Sequence, residues 1–142
     1  MPTLEAMTHP SPSQPVTHCI SGRSARFASL LFNYGNIAAL LIPFPIGLFW
    51  LGASMLVYAM NRHHPNEKVG HYTQQAAYRF YGLTGFFVAA ATFIPHGRHH
   101  YYLIAWVLGA LVLVPWSIVD ILRIRRDQWQ DMEVIVEEAA DA

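Results

Sequence analysis

Charged side chains interrupt this chain so rarely that its apolar stretches stand out at once. No charge occurs over the 35 residues from Phe27 to Asn61, and two more uncharged runs follow, Phe80–Gly97 and His99–Val119. About 20 mainly apolar residues, at 1.5 Å each, cross the ~30 Å hydrocarbon layer as a helix. The pattern predicts an all-α integral membrane bundle of three transmembrane helices at about 37–60, 66–95 and 100–122, within a domain over 27–122.

The first apolar stretch is too long for one simple crossing, since 35 residues would make a helix of roughly 50 Å. Either the segment from Arg23 to Asn36 lies in the interface, or Pro43-Phe44-Pro45 breaks the stretch into a re-entrant hairpin. Each half of such a hairpin is short for a full crossing, so a single kinked helix is the favoured reading. The second helix starts on Asn66, a good N-cap, with Glu67 in its first turn. Pro95-His96-Gly97-Arg98 then reads as a tight turn into the third helix. Beyond it, Trp129, Met132, Ile135 and Val136 recur at helical spacing. This predicts an acidic, amphipathic cytoplasmic helix over 123–142 that docks on a partner or on the 62–75 loop.

Composition sharpens the address. The 142 residues are 54% hydrophobic and 13% charged, with a mean hydropathy of +0.25, against about 25% charged residues in soluble domains. Residues 1–26 hold Pro2, Pro10, Pro12 and Pro15 among Ser, Thr and Gln, which predicts a disordered polar tail without a signal peptide. Arg62, Lys68 and Arg79 precede the second apolar run, and Arg123, Arg125 and Arg126 follow the third, whereas the 95–100 turn has only Arg98. The positive-inside rule puts the first two groups, and the C-terminus, in the cytoplasm. Three crossings leave the N-terminus outside, and a hairpin at Pro43–Pro45 returns it to the cytoplasm. This is the layout of a multi-pass protein of a bacterial inner membrane. With nine basic and nine acidic residues, no basic stripe offers itself to nucleic acid.

Candidate chemistry is sparse. Cys19 is the only cysteine, which excludes an intrachain disulfide and a multi-cysteine metal site. His96, His99 and His100 in the outer turn are the one candidate metal cluster, suited to copper, zinc or nickel, but no Asp, Glu or Cys stands near them. No histidine falls within membrane depth to ligate haem, so no cofactor is expected. Asp120 ends an apolar run, and measured from the 95–100 turn it lies at the depth of Arg79, so the two are predicted to pair across the helices. Small residues that let helices approach recur at Gly35, Ala39, Pro43 and Gly47, at Gly85 and Ala89, and at Ala105 and Gly109. Nothing pairs a nucleophile with a base, and phosphate loops and paired carboxylates are missing, so no enzyme is expected.

Pro45-Ile46-Gly47, a short polar linker, and His71-Tyr72-Thr73-Gln74-Gln75-Ala76-Ala77-Tyr78 with Phe80 resemble a widespread bacterial family of small membrane proteins. Its members carry a domain of unknown function and are similar to the import component of the chloroplast inner envelope. The likeness covers roughly residues 30–126, with Tyr78 where the family often has asparagine. It implies a bundle of three or four membrane helices and membership of a complex. The expected partners are therefore the bilayer and other membrane subunits or further copies of the chain. The leading expectation is a non-enzymatic accessory or structural subunit. A homo-oligomeric conduit along the Gln74–Tyr78–Gly85 face, or metal handling at the histidine turn, are the alternatives.

Overall fold

The computed structural model describes residues 15–136, of which 78% are helical. In chain order the elements are β1 (Val16–Ile20), α1 (Gly22–Leu41), α2 (Leu48–Arg62), α3 (Glu67–Phe93), α4 (His99–Arg126) and β2 (Met132–Val136). Pro43–Gly47 forms one wide turn between α1 and α2, in which Phe44 is extended and the Phe44–Pro45 peptide is cis.

The long apolar stretch is therefore two helices and not one kinked helix. Asn61 Nδ2 donates to the Ala28 carbonyl (3.2 Å), and Trp50 Nε1 donates to Asn36 Oδ1 (3.0 Å). The first matches an early residue of α1 with a late one of α2 and the second a late residue of α1 with an early one of α2, which defines an antiparallel hairpin. A β-carbon at Gly35 would collide with the indole of Trp50, so glycine there lets the two helices close. A proline pair in an apolar run is compatible with kink or hairpin, and these long-range contacts decide the case.

α3 and α4 form a longer hairpin of 27 and 28 residues. α3 starts on Asn66, whose Oδ1 accepts the Lys68 N–H at 3.1 Å. Its level against α1 is set by Asn36 Nδ2, which donates to the Ala76 carbonyl (3.2 Å). Pro43, at the tip of the α1–α2 hairpin, lines one cleft with Leu83 and Thr84 of α3, and α3 runs on to Phe93.

Both termini deviate from the expected layout. The predicted disordered tail over 1–26 includes β1 and the first turn of α1, where Ser21 caps the helix; residues 1–14 lie outside the described residues. The predicted helix over 123–142 stops at Arg126, and β2 follows, antiparallel to β1 with Cys19 opposite Glu133. The chain is thus not all-α. Met132, Ile135 and Val136 mimic helical spacing, yet β1 supplies a partner more than a hundred residues away in sequence. Residues 137–142 lie outside the described residues.

Polar side chains are buried beside an apolar core that includes Phe32, Trp50, Phe80 and Leu113, and large apolar side chains cover much of the outside. Ser29, Asn33, Asn36, Ser54, Thr73, Ser117 and Asp120 are all buried, while Phe49, Met60, Phe93 and Leu111 are largely exposed. The segments Pro43–Arg62 and His99–Arg126 are long and apolar enough to cross a membrane, and only 11% and 17% of their apolar windows are buried within the fold.

Candidate functional site

α1 is the polar axis of the bundle. Asn36 ties three helices together through Trp50 on α2 and Ala76 on α3. Ser54 Oγ donates to the Leu51 carbonyl and also meets Tyr81 Oη at 3.0 Å, linking α2 to α3. One turn back from the Asn36–Ala76 link, Asn33 and Thr73 fall at one level of the adjacent, parallel α1 and α3. Both are buried, and their side chains have no hydrogen-bond partner among the described residues. Buried amides without partners are rare because each costs about 1–3 kcal/mol.

Beside this seam lies the charged centre. The structure brings Arg79 of α3 and Asp120 of α4 into direct contact through Arg79 Nη1 and Asp120 Oδ2. Asp120 is fully buried, and its second oxygen has only Arg123 Nη1 nearby, at 3.8 Å. The Arg79 guanidinium also stacks on Trp116, 4.6 Å from the ring centre. The pair fixes the α3–α4 register.

The chain end folds over this same pole. Lys68 Nζ donates to Asp127 Oδ1 (2.8 Å), and Tyr72 Oη donates to Asp127 Oδ2 (3.1 Å). The Lys68 hydrogen bond holds the Asp127 carboxyl below its usual 3.8. Asp131 accepts the Gly22 N–H at 2.6 Å and so caps the open end of α1. Trp129, expected on a docking face, packs against Tyr72 and donates its indole N–H to the Ile124 carbonyl at 2.8 Å. Of the other predicted docking residues, Met132 is partly buried, and Ile135 and Val136 are exposed on β2.

The remaining predicted residues divide sharply. Gly47 closes against the Ala39 carbonyl and Gly109 against Leu83 and Phe87, and Ala105 is partly buried. Gly85 has open space around it and Ala89 is exposed, so neither packs a helix within this chain. Gln74 bonds Tyr78 (2.7 Å) and Gln75 bonds His71 (3.1 Å), each within α3, and neither pair lines a channel inside the bundle. His96, His99 and His100 are exposed, and no three His, Cys, Asp or Glu side chains among the described residues gather as a metal site requires. The Asn36–Trp50 and Ser54–Tyr81 links escaped sequence reasoning, although polar residues inside uncharged runs were the available signal.

No family model matches the chain, and neither a curated protein nor a solved structure does. The site has to be read from its own chemistry.

Proposed function

We propose that this chain is a non-enzymatic, multi-pass membrane protein with both termini in the cytoplasm, acting as an accessory or structural subunit of a larger membrane assembly. The observation that carries the membrane reading is the apolar exterior, with Phe49, Met60, Phe93 and Leu111 outside while amides, hydroxyls and one carboxylate are among the buried side chains. Orientation is supported by the basic residues. Eight of the nine (Arg23, Arg26, Arg62, Lys68, Arg79, Arg123, Arg125 and Arg126) belong to one half of the bundle, and Arg98 alone belongs to the other end. In this reading α3 and α4 cross completely, whereas the shorter α1–α2 hairpin enters and returns from the cytoplasmic side.

The accessory role is supported by what α3 leaves uncovered. A β-carbon at Gly85 would meet nothing within 4 Å among the described residues, and a bare glycine on a membrane helix suits a helix of another subunit or copy. A conduit would have to be built between copies, because the polar side chains of α3 satisfy one another within that helix.

Thiol labelling tests the topology with the chain's own cysteine. Cys19 lies exposed at the basic end, and a membrane-impermeant maleimide should reach it only in inside-out vesicles. In a Cys19→Ser background, His96→Cys should label only from the opposite side. Labelling of both from one side ends the crossing model. Isolation in mild detergent then tests the role: larger subunits at fixed stoichiometry support it, and the chain alone removes it.

A further inference from the structure

The apolar exterior is broken by cations beside Trp116. A cleft of about 300 Å3 between α3 and α4 and a shallower depression of about 420 Å3 on α4 alone flank this side chain, and both include Val112. One takes in Arg79 and the other Arg123. Between these arginines stands the Asp120 carboxylate, bound directly to Arg79. Arg123 is 3.8 Å from Asp120, too far for a hydrogen bond, and its side chain is 63% exposed. Among the described residues two cations therefore face Asp120, and the Arg123 guanidinium lies beyond hydrogen-bond distance of it. The depth is also informative. The uncharged run His99–Val119 has 21 residues, about 31 Å of helix, which places Arg123 just past the hydrocarbon boundary of a ~30 Å layer.

We propose that this is a binding site for an anionic phospholipid of the cytoplasmic leaflet. The headgroup phosphate sits on Arg123 with Arg79 adding to the field, and the two acyl chains lie in the cleft and the depression either side of Trp116. An arginine fork matches phosphate geometry, and basic pockets between membrane helices on the cytoplasmic side select anionic headgroups. The lipid has a structural consequence, since its phosphate balances the charge that Asp120 leaves over. The inference rests on the membrane placement proposed above.

The test uses the full chain, purified and delipidated in dodecyl maltoside, with thermal unfolding followed as lipid is added. Phosphatidylglycerol should raise the midpoint and bind at least about fivefold tighter than phosphatidylcholine with the same acyl chains, the effect of roughly one cation at a membrane surface. Arg123→Gln should remove that preference, and Arg98→Gln at the other end should keep it. Val112→Trp, at a position 61% exposed, fills both the cleft and the depression without changing charge and should weaken phosphatidylglycerol binding. Inorganic phosphate should give no comparable shift. Equal response to both lipids, equal loss in the two arginine variants, an unaffected Val112→Trp, or a full effect of phosphate alone overturns the proposal. A chain whose thiols label from opposite sides and that ignores lipid charge would overturn this inference and leave the membrane reading in place.

Discussion

α1 meets α2 at Gly35, where the Trp50 indole fills the space a β-carbon would need, whereas a β-carbon at Gly82 or Gly85 of α3 would meet nothing among the described residues. The two hairpins are built by different rules. The short one is held by neutral hydrogen bonds along a polar axis, through Asn36, Trp50 and Asn61. The long one is pinned at its basic end by an ion pair and closes at Gly109 against Leu83 and Phe87. Where lipid surrounds helices, apolar burial does not drive them together, so the hairpins depend on polar ties and on close approach. Small-residue stripes that look equivalent in sequence therefore serve opposite ends, closure inside the chain and an open face outside it.

The largest effect is expected where the long hairpin is pinned. Asp120→Ala leaves the Arg79 cation without its partner, which costs about 3 kcal/mol, the low end for a broken buried pair because Arg79 keeps partial exposure. Thermal unfolding in detergent measures it. The double variant Arg79→Met with Asp120→Leu should recover much of the loss, because an apolar pair needs no desolvation. A double variant as weak as the single one would show that the pair does more than satisfy itself.

Gly35→Ala and Gly85→Ala place the same methyl group in the two stripes and so test the comparison directly. At Gly35 the buried Trp50 ring must move, an overpacking cost of about 2 kcal/mol. At Gly85 the chain offers open space, and the isolated protein should change by less than about 0.5 kcal/mol. If Gly85→Ala also leaves association with copurifying subunits intact, the open face is lipid-facing. Trp50→Phe is expected to cost about 1.5 kcal/mol, since the aromatic contact with Phe32 survives but Asn36 loses its indole donor.

These contrasts explain what the sequence could and could not disclose. The long hairpin was readable because its determinants are local or arithmetical. Asn66 caps it, Pro95–Arg98 turns it, and equal distances from that turn align Arg79 with Asp120. The short hairpin was not, because Pro43 and Pro45 break a helix without saying whether the chain continues or returns. That choice is made by Gly35 with Trp50 and by Asn61 with Ala28, contacts no local pattern reports. The strand pair was hidden for the same reason, as Val16–Ile20 and Met132–Val136 gain their order only from each other. The ion pair was thus legible in the candidate site, and the neutral ties through Asn36 and Ser54 were not.

The smallest effect concerns the tail over the basic end, where the fold uses a salt bridge open to water. Asp127 is held below its usual 3.8, first by the Lys68 hydrogen bond. A carboxyl with a depressed folded value contributes stability above its unfolded value, and loses it as pH falls through the folded one. The latch should therefore be intact at pH 5 and above, and should loosen progressively below about pH 4. With the partners 46% and 28% exposed, solvent screening limits the change to about 0.5 kcal/mol or less. An environment-sensitive dye on Cys19, opposite Glu133 in the strand pair, reports the loosening. Lys68→Met should abolish the part of the response due to this pair, and 1 M salt should shrink it. A transition identical in wild type and Lys68→Met would mean that strand pairing and the Asp131 cap on α1 hold the tail without help from the salt bridge.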